Sequence, residues 1–230
     1  MIFRFRIPPQ LAWAIPPACF LLLAGCNNIL VPKHRVLVDA ISAPGVVIKA
    51  SGTSYRLLAK KSTVTNVPAQ VAVIKACVDA ALAGKGMYEP PANVAPELFI
   101  EVAYGVDVTP RVDAAARETF LQLSARANPT KAVDRGTGPE LWDVRVSVLG
   151  VAGRIETAMP LLAAVASDYI GTDTKLETRI EIPQNSAAIG SVRQNAIKTL
   201  EGQAAVNPND PAAPGAAAAA KAAVKPVTTR

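Results

Sequence analysis

Three kinds of side chain in this 230-residue chain could carry covalent or proton-transfer chemistry: thiols, one imidazole and a few carboxylates beside apolar residues. The thiols are Cys19, Cys26 and Cys77, and His34 is the single histidine. A Ser-His-Asp triad or a multi-histidine zinc site therefore lacks its parts. Glu97 and Glu101 flank an apolar segment, with Asp107 further on. Two carboxylates on one strand face are the minimum for glycosidase acid/base work, and same-face strand neighbours sit ~7 Å apart. Sugar clefts also use aromatic platforms, however, and beyond Trp13 the chain has only Trp142. Solvated charges are the ordinary state of such carboxylates. Trp142, Phe99 and Tyr169 read first as core. Gly136-Thr137-Gly138 is too short, and too far from a helix start, to cradle phosphate. No catalytic residue, metal ligand or cofactor is expected.

Cys26 is the exception among the thiols. Arg4 and Arg6 precede an apolar run from Leu11 to Leu23, and small residues then lead into the cysteine. This is the layout of a secretory signal with a small-residue cleavage site. Leu23-Ala24-Gly25-Cys26 resembles the lipobox of bacterial lipoproteins, which implies diacylglycerol on the Cys26 thiol, cleavage just before it and acylation of the new amino group. An uncleaved anchor is the competing reading. The apolar run falls short of the ~20 residues a spanning helix needs, and Pro16-Pro17 interrupt it. Cys19 is a poor rival acceptor, because Pro16 stands where the lipobox has leucine. Asn27, where an aspartate would resemble an inner-membrane retention signal, points to the outer membrane facing the periplasm.

The chain carries 24 basic and 18 acidic residues, net +6. Loss of residues 1–25 removes Arg4 and Arg6 and no acidic residue, leaving 22 against 18, or +4. These charges are scattered, with no basic stripe interleaved with aromatics, so no nucleic-acid partner is expected. With Cys19 removed and Cys26 acylated, Cys77 is the one free thiol, and no internal disulfide can form. It falls on the apolar stripe of a helix and reads as a small core hydrophobe.

Residues 26–34 read as a tether and 35–201 as one globular domain. Val36 to Ile41, Val46-Val47-Ile48 and the stretch from Tyr55 to Leu58 are β-branched or apolar runs bounded by turn residues, hence strands. Pro68 opens a helix in which Val71, Ile74, Val78 and Leu82 share a face, while Lys75 and Asp79 lie off it; Gly84 and Gly86 end it. Leu98, Ile100, Val102 and Tyr104 alternate with Phe99, Glu101 and Ala103. Residues 105–118 are ambiguous. Leu121, Leu123 and Ala125 alternate again, and Asn128 to Gly138 is a polar loop.

The clearest strand sets Trp142, Val144, Val146 and Val148 against Asp143, Arg145 and Ser147, which predicts a sheet covered on one side. Thr157 is expected to cap a second helix with Pro160 in its first turn, its stripe being Leu162, Val165, Ala166 and Tyr169. Leu176, Thr178, Ile180 and Ile182 are expected to face inward from a further strand. Asn185 or Ser186 caps a last helix carried by Ile189, Val192, Ala196 and Leu200. The fold class is thus α+β: a mixed, largely antiparallel sheet with two or three helices on one face. It contains two strand-helix-strand units, a plan of the ferredoxin-like kind. Residues 202–230, alanine-rich and broken by Pro208, Pro211, Pro214 and Pro226, read as a disordered tail.

Several segments resemble an uncharacterised family of proteobacterial lipoproteins catalogued only as a domain of unknown function. They are Gly52-Thr53-Ser54-Tyr55, Gly84-Lys85-Gly86-Met87-Tyr88-Glu89, Leu123-Ser124-Ala125-Arg126, Asp168-Tyr169-Ile170-Gly171-Thr172-Asp173-Thr174, and the run Leu141 to Val148 ahead of Met159-Pro160-Leu161-Leu162. Members tend to carry a longer β-rich insertion where this chain has residues 105–118. The resemblance implies an envelope lipoprotein and no particular activity. The sequence therefore reads as a lipid-anchored, non-enzymatic binding or assembly module whose partners are the membrane, through Cys26, and an envelope protein or the cell wall. The other readings are a small-molecule binder with a pocket between sheet and helices, and a carboxylate hydrolase using Glu97, Glu101 or Asp107.

Overall fold

The computed structural model describes residues 31–45, 49–60, 68–111, 114–149 and 155–206. The signal, Cys26, Val46-Val47-Ile48 and the tail from residue 207 lie outside them. The elements are β1 (Lys33–Ser42), β2 (Tyr55–Ala59), α1 (Pro68–Gly84), β3 (Leu98–Arg111), β4 (Ala114–Ala127), β5 (Glu140–Leu149), α2 (Ile155–Asp168), β6 (Thr178–Pro183) and α3 (Ala187–Val206). The fold is α+β. One six-stranded sheet runs in the order β2-β3-β4-β5-β1-β6. Only β2 and β3 pair in parallel.

Both strand-helix-strand units are present, but they are built differently. In the first, β2 and β3 are direct neighbours joined through α1. In the second, β5 and β6 run the same way on either side of β1, which fills the gap between them. A ferredoxin-like sheet splits both units; here only the second is split. β1 starts at Lys33, so Lys33 and His34, expected in the tether, are strand residues opposite Pro183 and Ile182.

The core follows the period of two along the strands. Val36, Val38 and Ala40, Leu98, Ile100 and Val102, Leu121, Leu123 and Ala125, and Trp142, Val144, Val146 and Val148 are all buried in one cluster with the helices. Cys77 belongs to that cluster. α2 lies over β4 and β5 and packs against α1 and α3. It is buried on nearly every side from Ile155 to Ser167, as befits a helix apolar all round. Ile189, Val192, Ala196 and Leu200 form the buried stripe of α3, whose first turn is closed by Gly190 N–H donating to the Ser186 carbonyl.

Three local expectations fail. α2 begins at Ile155, so Thr157 is an exposed first-turn residue and not a cap, and Pro160 sits beyond the first turn. Burial of Ile155 with Met159, four residues on, extends the helix past the residue whose side chain suggested its start. Leu176 does not face inward; it is 78% exposed, because β6 begins only at Thr178 and is an edge strand. Residues 105–111 and 114–118, ambiguous in sequence, belong to β3 and β4, which stay paired out to Arg111 and Ala114.

Candidate functional site

A charged network at the junction of β2, α1 and the turn after α1 is the best-formed polar cluster. Tyr55, first residue of β2, is fully buried, and its hydroxyl donates to Asp79 Oδ1 at 2.9 Å. Lys75, one turn before Asp79 on α1, reaches Asp79 Oδ2 and Glu89 Oε2, both at 2.7 Å. Burial raises the Asp79 carboxyl above the ordinary carboxylate range, although Lys75 and Tyr55 pull it back. Burial alone would lower Lys75, but its bonds to Asp79 and Glu89 outweigh that and hold it protonated. The Tyr55 phenol is pushed far up, by burial first and the Asp79 charge second. A phenol that keeps its proton and an ammonium clamped by two carboxylates are poor nucleophiles, so the network suits orientation and binding better than proton transfer.

Tyr55, Asp79 and Glu89 of this network line an open groove of about 510 Å3 between α1, α3 and the residues after α1. Tyr88, 54% exposed, stands at its rim, with Glu89, Asn195, Lys198 and Thr199. The walls are positioned by backbone pairing between two segments distant in sequence. Gly52 N–H donates to Gly86 O at 2.8 Å, Tyr55 N–H to Tyr88 O at 2.9 Å, and Tyr88 N–H to Thr53 O at 3.2 Å. Gly86 holds φ +80, and a Cβ there would lie 3.2 Å from Ser51 Cα. Lys85 reaches Asp168 at the end of α2, 2.6 Å away. Three of the segments that carry the family resemblance thus meet in one place.

The carboxylates singled out by sequence do not converge. Glu97 Oε2 accepts from Ser54 N–H, and Ser54 Oγ accepts from Glu97 N–H, each at 3.0 Å. That reciprocal pair ties β2 to the start of β3. Glu101 faces Arg126 at 3.8 Å, and Asp107 pairs with Arg145 at 2.6 Å. Four residues of extended chain separate Glu97 from Glu101, which is two same-face steps or ~13 Å, and too far for a glycosidase pair. Burial pushes the Cys77 thiol up to about 12. His34 is held below its ordinary value by burial and then by the Arg193 charge. Among the described residues no three His, Cys, Asp or Glu side chains form a metal-ligand set. Cys26 lies outside the described residues.

No family model and no curated protein matches the chain. Solved structures do match it. The PelC dodecamer from Paraburkholderia phytofirmans, seen in two crystal forms, is similar at 11% identity and TM-score 0.39, over 60% of this chain and 98% or 99% of the PelC chain. A PDZ domain protein from Parabacteroides distasonis is similar at 15% identity and TM-score 0.44, over 70% of this chain and 41% of its own. These are distant likenesses.

The sheet face away from the helices carries its own polar lattice. Asp143 accepts from Gln122 at 2.9 and 3.0 Å and from the Ser124 hydroxyl. The Arg145 guanidinium lies 4.0 Å from the Phe120 ring centroid. At one end the Asn128 to Gly138 loop folds onto this face. Asn128 Nδ2 donates to Pro96 O at 2.7 Å and Ala132 O at 2.8 Å, and the loop seals Phe99, which is fully buried. Gly138 permits the approach, since a Cβ there would stand 2.3 Å from Ala127 O.

Of this network, the sequence pattern placed only Lys75 and Asp79, off the apolar face of α1, where a spacing of four sets them side by side. Tyr55 and Glu89 stood in a strand and in segments that carry the resemblance, with nothing local to show that they meet.

Proposed function

We propose that this chain is a lipid-anchored envelope lipoprotein, held through acyl groups on Cys26, whose α+β body is a non-enzymatic binding or assembly module in the periplasm. The observation that carries this reading is Leu23-Ala24-Gly25-Cys26 behind a basic and then apolar leader. Several acyl chains on one residue hold a folded body firmly to a bilayer, at ~0.8 kcal/mol per buried CH2. Among the described residues no helix is long and apolar enough to cross a membrane. Asn27 after the cysteine favours the outer membrane. Separate engagement of Glu97, Glu101 and Asp107 supports contact and not hydrolysis as the mode of action. Cross-linking in intact envelopes should trap a reproducible protein or cell-wall partner; recovery of lipid and bulk porins alone would overturn the reading.

A second reading, a small-molecule binder, draws on the groove at Tyr88 and Glu89. The space between sheet and helices is filled by Trp142, Met159 and Leu162, all fully buried, so a ligand would sit in the groove instead. Native mass spectrometry of protein taken from its own membranes tests it, and a spectrum with no retained ligand counts against it.

A further inference from the structure

The end of the sheet where the chain enters is cationic on the face without helices. Lys33, Arg35 and Leu37 of β1 share that face with Arg179 and Glu181 of β6, since Arg35 pairs with Glu181 and Leu37 with Arg179. Lys33, Arg35, Leu37 and Arg179, with His34, Val148 and Leu149, line an open pocket of about 390 Å3. Glu181 lies beside them, 3.4 Å from Lys33 and 3.6 Å from Arg35; on the next strands of the same face stand Glu118 and Asp107, the latter held by Arg145 at 2.6 Å. On β1 and β6 alone, Lys33, Arg35 and Arg179 against Glu181 leave two positive charges in excess, all on exposed side chains.

Strand register shows what else lies at this end. Val36 is level with Val148, and Glu118 with Leu149 and Asp107. The β3–β4 hairpin runs on past that row, its backbone paired out to Arg111 and Ala114. Among the described residues no third strand flanks this extension. The hairpin and the cationic pocket therefore project from the same end of the sheet, the end at which the chain arrives from Cys26. Lys33 is seven residue steps along the chain from Cys26. Fully extended, they span at most about 25 Å.

From this we infer that the Lys33/Arg35/Arg179 end faces the bilayer that holds the chain's own anchor, and that these cations bind the headgroup phosphate of an anionic phospholipid. The inference rests on the lipoprotein reading and adds an orientation to it. Basic residues near an anionic surface attract it within a Debye length, so a cluster kept close by a short covalent tether is where such attraction counts. The pocket is suited to a headgroup because Leu37 and Leu149 give it apolar surface beside the guanidinium groups. An anchored body fixed in this way would turn its opposite end, with Arg126 and Glu140, away from the membrane.

The test uses the native protein, purified from membranes and placed in nanodiscs containing photoactivatable phosphatidylglycerol or photoactivatable phosphatidylcholine. Peptide mass spectrometry then reads where label lands. With phosphatidylglycerol, label should concentrate on the peptides holding Lys33 to Leu37 and Arg179 to Pro183. Each of Lys33→Ala, Arg35→Ala and Arg179→Ala should reduce it roughly five-fold. Arg126→Ala, at the far end of the same face, should leave it unchanged. Equal labelling from the two lipids would overturn the inference, as would loss of label to millimolar inorganic phosphate, which marks a free-anion site. The same spectra report the mass on Cys26. An acylated Cys26 with an unlabelled β1–β6 end overturns this inference alone, and an unmodified Cys26 overturns it together with the lipoprotein reading.

Discussion

The hydroxyl of Tyr55 donates to Asp79 Oδ1 at 2.9 Å from a ring with 2% exposure, joining the first residue of β2 to the middle of α1. Removing the hydroxyl leaves a largely buried carboxylate short of one donor. Tyr55→Phe should cost about 1–2 kcal/mol. A double-mutant cycle with Asp79→Asn should show coupling of about 1 kcal/mol, read from urea midpoints. Strictly additive effects would mean that the bond contributes nothing to stability.

Gly86 and Gly84 make a matched pair. Gly86 sits at φ +80 against Ser51, whereas Gly84 ends α1 with nothing within 4 Å of a built Cβ. Gly86→Ala should lose about 1–2 kcal/mol through left-handed strain alone. Gly84→Ala should be neutral or slightly stabilising in the same denaturation assay. Equal responses would show that the Gly52–Gly86 contact can shift without cost.

Asn128 closes its loop with four side-chain bonds, to Pro96 O, Ala132 O, Ala132 N–H and the Thr130 hydroxyl. Asn128→Ala leaves the buried Pro96 carbonyl and the half-buried Ala132 carbonyl unpaired and should destabilise by about 2–3 kcal/mol. It should also quicken hydrogen exchange across residues 128–138 and expose Phe99. Thr130→Ala, which removes an exposed group at 3.4 Å, should stay within about 0.5 kcal/mol.

Stability should fall on the alkaline side. Burial raises the Cys77 thiol to about 12 and lifts the Tyr55 phenol well above its ordinary range, and Lys75 is raised on balance by Asp79 and Glu89. Each folded-state value lies above its unfolded one, so the unfolded chain loses protons first as pH rises. Urea midpoints should hold up to about pH 8.5 and decline from about pH 9 upward. A thiol reagent should find no reactive cysteine in the folded acylated protein and one, Cys77, after unfolding. Fast labelling of folded protein would place Cys77 outside the core.

Much of the fold was legible because side-chain period is a local property. The alternation at Trp142, Val144, Val146 and Val148 and the helical stripe at Ile189, Val192, Ala196 and Leu200 needed no knowledge of neighbours, and both are buried as read. Phe99 was not legible in this way. It alternates onto the polar face of β3, yet it is fully buried, because a loop some thirty residues downstream folds over it.

The same division separates the anchor from the groove. Charge, apolar length and small residues before Cys26 are linear features, so the chain alone determined where an acyl group is expected. Insertion of β1 between β5 and β6, the exposure of Leu176 and the meeting of Tyr55 with Asp79 and Glu89 were decided by tertiary structure. These depend on which segments become neighbours once the core closes, and pairing between residues far apart in sequence leaves no period in either partner.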